Sequence, residues 1–263
     1  MTPSLLQGLI PDSFKTIRLV ATDMDGTLTK SGKFTPVLLQ SLTDLAVAGI
    51  QVLVVTGRSA GWVNGVVSYL PIVGAIAENG GLFYSHAEQE PEPLIALPDI
   101  GEYRRQLHQI FQHLQTRFPQ IREATDNRFR ITDWTFDVHG LSLNDLQEMQ
   151  SLCREQGWGF TYSTVQCHIK ALEQEKAPGL QKVLQQYFPE YALEQVITVG
   201  DSPNDESLFN ADRFPVSVGV ANVLHYIDQL QYRPAYVTQA EEVQGFRELA
   251  DLLVRSRLSH PPR

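Results

Sequence analysis

The 263-residue chain is 43% hydrophobic and 19% charged, enough for a large domain or a domain with an insert, and too rich in core residues for a disordered chain. Its 21 Lys and Arg against 30 Asp and Glu leave a net charge of −9, which argues against a broad nucleic-acid or anionic-membrane surface. No apolar run approaches the roughly 18 residues that span a bilayer, Met1 to Ile10 lacks the pattern of a signal peptide, and two cysteines, Cys153 and Cys167, cannot staple a fold; a soluble, cytoplasmic protein is the expectation.

In chain order, residues 17–22 read as a buried strand that stops at Asp23-Met-Asp-Gly-Thr27. A helix is predicted over 36–48, with Thr35 as its N-cap and Gly49 as its stop, followed by a second buried strand over 50–55 that ends at Thr56-Gly57-Arg58, where another helix begins nearby. Continuous apolar strands in β-α-β order predict a parallel sheet covered on both faces. Pro91, Pro93 and Pro98 suit a linker. The next stretch has a different order: a largely polar helix over 101–118, strands over 121–125 and 129–138, a helix over 143–156, and strands over 159–163 and 165–171. That α-β-β-α-β-β pattern predicts a separate α+β unit inserted into the first. Residues 172–176 return the chain to a helix over 178–188 and a strand over 196–199, then Gly200-Asp-Ser-Pro-Asn-Asp205. Strands over 216–218 and 235–238 and a helix over 243–255 finish the sheet. The expected division is a core of 1–85 and 172–263 around an insert of 86–171.

Open α/β sheets bind ligands at the carboxyl ends of their strands, and the polar residues cluster there. Asp23 and Asp25 flank the end of the first strand, where the turn at Gly26 can send the two carboxylates to different tasks; the alternative is a plain Asp-Gly turn. Thr56 and Gly57 can hold a phosphate oxygen, or simply cap a helix. Lys176, before a helix, is a cation for a phosphate site or a surface residue, with Lys170 and Lys182 as rivals. Asp201, Asn204 and Asp205 can complete an oxygen-ligand set for Mg²⁺, or form a turn and N-cap. Calcium-loop and P-loop spacings both fail here.

Taken in this order, Asp-x-Asp-Gly-Thr, Thr-Gly-Arg, Lys and Gly-Asp-x-x-Asn-Asp resemble the four motifs of the haloacid dehalogenase-like hydrolase superfamily, over about residues 15–85 and 172–255. The resemblance implies a Rossmann-like parallel-sheet core and an Mg²⁺-dependent phosphatase. Asp23 would be the nucleophile that forms an aspartyl-phosphate, and Asp25 the general acid and base, whose backbone carbonyl also binds the metal. Thr56, Gly57, Lys176 and Asn204 would hold phosphate, and Asp23, Asp25, Asp201 and Asp205 the metal. One departure stands out: relatives with this type of insert often carry Gly after the lysine, where this chain has Ala177-Pro178.

Only 28 residues separate Thr27 from Thr56, whereas 119 separate Thr56 from Lys176, so the insert belongs in the second gap. That placement, with Ala77-Glu-Asn-Gly-Gly81 before it, resembles the type IIB cap of Cof-like, sucrose-phosphate and mannosyl-3-phosphoglycerate phosphatases. The implied partner is a small phosphorylated metabolite, a sugar phosphate by cap type, with neither nucleic acid nor membrane involved. A phosphomutase and a phosphate-binding protein without turnover are the alternatives. Arg128, Arg130, His168 and Lys170 are candidates for reading the leaving group, although each taken singly reads as a solvent-facing strand residue. Trp134, Trp158, Cys153 and Cys167 read as packing residues.

Overall fold

The apolar runs become strands buried on both faces, as a sheet covered by helices requires. In β2 (Leu19–Thr22) Val20 packs into one core cluster, while Leu19 and Ala21 pack into the other. The computed structural model describes residues 3–6, 12–85, 90–97 and 99–258. Most of Met1 to Ile10, Pro98 of the expected linker and the expected boundary at residue 86 lie outside them.

Before β2 comes β1 (Ser4–Leu5), and after it α1 (Pro36–Val47), β3 (Gln51–Val55), α2 (Ala60–Tyr69), β4 (Ala75–Ala77), β5 (Leu82–Tyr84) and β6 (Glu92–Pro93). Then follow α3 (Ile100–Arg117), β7 (Asp133–Asp137), α4 (Leu143–Glu155), β8 (Trp158–Tyr162), β9 (Gln166–Ala171) and α5 (Lys176–Tyr187). The chain closes with β10 (Val196–Gly200), β11 (Val216–Gly219), β12 (Tyr236–Val237) and α6 (Glu242–Leu258). Among the described residues the main sheet runs β1-β12-β11-β10-β2-β3-β4-β5-β6. It is parallel from β1 to β4, and antiparallel where β5 and β6 are added. The fold is α/β, and β10, β2 and β3 lie side by side at its centre. From β2 the chain adds β3 and β4 on one side and later β10, β11 and β12 on the other, so the crevice beside β2 and β10 is the topological switch point where such sheets bind ligands.

A second sheet, ordered β7-β9-β8 and antiparallel throughout, lies under α3 and α4 with its own apolar cluster around Leu107, Phe111, Met149 and Ile169. Trp134 and Trp158 pack against that cluster, and both cysteines are fully buried within it. Burial pushes the Cys153 thiol up to about 12 and raises that of Cys167 as well, as expected for packing residues.

Two local expectations change. No strand forms over 121–125; Glu123 makes one isolated bridge to Phe136, and Thr125–Phe129 is a short 3-10 helix. The Asn127 side chain takes the place of a strand neighbour, giving Nδ2 to the Thr135 carbonyl and accepting the Thr135 N–H at Oδ1, both at 2.8 Å. Thr35 sits at the start of α1, but its hydroxyl caps nothing and is buried without a partner; Pro36, pre-set for helical φ, starts the helix.

Candidate active site

Asp23 leaves the end of β2, Thr56 the end of β3 and Asp201 the end of β10, so three adjacent strands deliver their polar residues to one crevice. Gly26 turns the chain with φ +83°, and a Cβ there would collide with the Asp201 carboxylate. Lys176 is the first residue of α5, two residues earlier than expected, and it is fully buried. Its Nζ lies 2.5 Å from Asp23 Oδ1 and 2.6 Å from Asp205 Oδ1. Neither rival reaches the crevice's carboxylates: Lys170 donates to the Gln174 carbonyl and Lys182 to that of Leu94. The Ala177-Pro178 departure leaves this contact intact, and Gly179, two residues on, is where α5 meets the Gly80 backbone.

Burial pushes the Asp23 carboxyl up to about 7, with Lys176 opposing and Asp205 adding to the rise. Asp201 is also raised well above its ordinary value, by burial and by the facing Asp23 and Asp205. Against its own burial, Lys176 is held protonated by Asp205 and Asp23. Carboxylate oxygens of Asp23, Asp201 and Asp205 lie within 4.8 Å of one another, so three buried acids face a single lysine. This charge deficit and the hard-oxygen donors fit a divalent cation. Asp205 is already engaged, since its Oδ2 accepts the N–H groups of Asp201 and Ser202. Asp201 is held by neutral donors alone, Thr27 Oγ1 at 3.3 Å and Asn222 Nδ2 at 2.7 Å.

The Asp25 side chain stands apart from this trio. Both its oxygens are taken by Arg58, at 2.7 Å from Nε and 2.6 Å from Nη2, and the guanidinium lies over the Trp62 ring. Thr56 Oγ1 accepts the Arg58 N–H, and Asn204 Nδ2 donates to Asn79 Oδ1 at 2.9 Å. Asp23, Asp25, Thr56, Gly57, Arg58 and Asn204 together wall a cavity of about 20 Å³, which His168 and the 163–166 loop close from the three-stranded layer.

That layer is tied down by a buried polar network that sequence reasoning missed. Arg130, His168 and Lys170 are buried rather than solvent-facing; Arg128 alone of the four candidates is exposed. Arg130 donates to Asp133, Asp126, Gln166 and the Gly57 carbonyl, all at 2.8–2.9 Å. Despite burial, Arg130 and His168 hold the Asp133 carboxyl below its usual range. Glu78, in the left-handed region at φ 52°, accepts the N–H groups of Ala60, Ile131 and Thr132. Only the Ala77–Gly81 motif hinted at this; Arg58 stood in the Thr-Gly-Arg motif without a role, and no sequence signal marked Asn222. Arg130→Ala would leave the buried Asp133 carboxylate with His168 as its one remaining side-chain partner, at 2.8 Å, and without its fixed positive charge, and is expected to cost about 3–5 kcal/mol in urea unfolding; a loss below about 1 kcal/mol would show the network is not structural.

A family model described as haloacid dehalogenase-like hydrolase matches residues 20–118. "Phosphoglycolate phosphatase 1" of Saccharolobus solfataricus is 29% identical over 246 residues, covering 91% of this chain and 96% of that protein. The phosphoglycolate phosphatase of Metallosphaera sedula is 26% identical, covering 78% and 87% respectively. Among solved structures, a Thermoplasma acidophilum protein superposes with TM-score 0.72 at 20% identity, covering 90% of this chain and 98% of that one. The sucrose-phosphatase of Synechocystis, solved with sucrose and phosphate, gives 0.65 at 14% identity, covering 89% and 97%. The strand-end carboxylates, the matching model and relatives along most of the chain point the same way: this chain is similar to the haloacid dehalogenase-like hydrolases in sequence over residues 20–118 and in fold over most of its length.

Proposed function

We propose that the protein is an Mg²⁺-dependent phosphatase that hydrolyses a small phosphate monoester through transient phosphorylation of Asp23. The observation that carries this reading is the Asp23 carboxylate at the end of the central strand, held by a buried lysine and faced by two further buried acids. In this reading residues 86–171 are a cap over a catalytic core of 1–85 and 172–263.

A phosphate dianion repels an anionic nucleophile, so charge must be offset before the two can meet. Lys176 supplies one positive charge, and Mg²⁺ held by Asp23, Asp201 and the Asp25 carbonyl, with Asp205 behind them, would supply the rest. Thr56, the Gly57 N–H and Asn204 orient the phosphoryl oxygens. An Asp23 oxygen attacks phosphorus while the bond to the leaving oxygen breaks, and Asp25 gives that oxygen its proton. Asp25 then takes a proton from the water that attacks the aspartyl-phosphate, releasing inorganic phosphate and restoring Asp23. Since Arg58 occupies both Asp25 oxygens, one of these bonds must open for each proton transfer. A cavity of about 20 Å³ has space for little more than one water, for which about 10–15 Å³ suffices, so the cap must lift to admit substrate.

The relatives' names favour a short phosphorylated acid such as phosphoglycolate, while the cap type favours sugar phosphates. The test is inorganic phosphate release from a panel of both kinds, with Mg²⁺ and with EDTA. Metal-dependent release is the expected result. Recovery of an isomeric sugar phosphate instead would make the protein a mutase, and tight binding without release a binding protein.

A further inference from the structure

The reaction cavity has no room for a leaving group, but a larger space adjoins it. A chamber of about 290 Å³ lies between cap and core, and Asn204 lines both spaces. Its walls include Lys170 and Arg154 from the cap and Asn79 and Lys176 from the core. The volume is at the lower end for small-molecule sites, roughly 300–1,000 Å³, and suits a leaving group of a few carbons.

We propose that this chamber is an anion subsite, in which Lys170, with Arg154 at the rim, holds a second negatively charged group on the substrate, a carboxylate or a phosphate. The proposal rests on the phosphatase reading and adds the class of leaving group to it. Lys170 is 4% exposed, and its Nζ donates to the carbonyl of Gln174. Among the described residues no carboxylate lies within ion-pair distance of it. A buried cation whose direct hydrogen bond goes to a neutral oxygen is costly and gains from an anionic partner in contact. Arg154 is exposed, and its guanidinium has no partner among the described residues. At the junction with the reaction cavity, Asn79 Nδ2 is a buried donor without an acceptor, 3.1 Å from the point a Cβ would occupy on Gly57. An oxyanion reaching from the phosphate site into the chamber would satisfy it. The opposing charges are Glu206, which already accepts backbone N–H groups of Gln231 and Tyr232, Glu175, exposed at the wall, and Asp133 and Glu173, which with Glu175 act on Lys170 beyond ion-pair distance; Asp133 is already paired with Arg130.

The test compares phosphate monoesters with and without a second anionic group: 3-phosphoglycerate with glycerol 3-phosphate, and fructose 1,6-bisphosphate with fructose 6-phosphate. Wild type should prefer the charged member of at least one pair, and the pair that shows it distinguishes carboxylate from phosphate recognition. Lys170→Met should lower the charged-to-neutral ratio of kcat/KM by about 10–100-fold, the worth of a hydrogen bond to a charged group, and Lys170→Arg should restore part of it. An unchanged ratio, or a wild type without preference, overturns the subsite. Should Lys170→Met fail to fold, Arg154→Gln at an exposed position decides the matter instead: a several-fold fall in the same ratio supports the subsite, and no fall overturns it. If no monoester is hydrolysed, the phosphatase reading fails, and calorimetric binding of 3-phosphoglycerate against glycerol 3-phosphate to wild type and variant still decides the subsite.

Discussion

Asp23→Asn is expected to abolish phosphate release, by at least about four orders of magnitude, because the amide cannot accept the phosphoryl group and the step has no substitute nucleophile. Folding should survive the change. The amide is isosteric and removes one of three mutually repelling buried acids, while Lys176 keeps its bond to Asp205 at 2.6 Å. The melting temperature in chelator should therefore stay within a few degrees of wild type, or rise. This pairing separates chemistry from structure: a variant that melts normally and is inactive identifies the nucleophile, whereas one that keeps more than about 1% of activity removes Asp23 from that role. Asp25→Asn should leave Asp23 able to attack but deprive both steps of their proton carrier, a loss of about 10²–10⁴-fold.

The sheet and the strand-end residues were legible because local chemistry and fold agree there. Apolar runs of strand length over 17–22, 50–55 and 196–199 can be satisfied only inside a covered parallel sheet, and each ends in a polar turn. What escaped the sequence depends on distant partners. The 121–125 segment has strand composition, but its place in the ladder went to the Asn127 side chain, a choice invisible without Thr135 beside it. Arg130 and Lys170 carry the charge of surface residues and are buried because Asp133 and the Gln174 carbonyl receive them. Asp25 and Arg58 lie 33 residues apart, and spacing alone gave no reason to pair them.

Mg²⁺ should raise the melting temperature, and the gain should depend on pH in the sense set by Asp23. A ligand at about 100 times its dissociation constant adds about 2.7 kcal/mol to a native state, which for a chain of this size corresponds to a rise of roughly 5–10 °C. In chelator the folded Asp23 carboxyl stands at about 7, against 3.8 for the ordinary group, so between those values the folded chain holds more protons than the unfolded one. Stability without metal is therefore complete below about pH 4 for this group and is lost as pH rises toward 7. Asp201, raised for the same reasons, works in the same direction. A cation among these oxygens reverses the preference by favouring the ionised forms, so the stabilisation by Mg²⁺ should grow from about pH 5 to about pH 8. Asp201→Asn should remove most of the gain, because that carboxylate is the one held by neutral donors alone. Scanning calorimetry with Mg²⁺ and with EDTA across this range checks both parts. A gain that is flat with pH, or that persists in Asp201→Asn, would place the cation elsewhere and leave three buried acids to be neutralised by protons and Lys176.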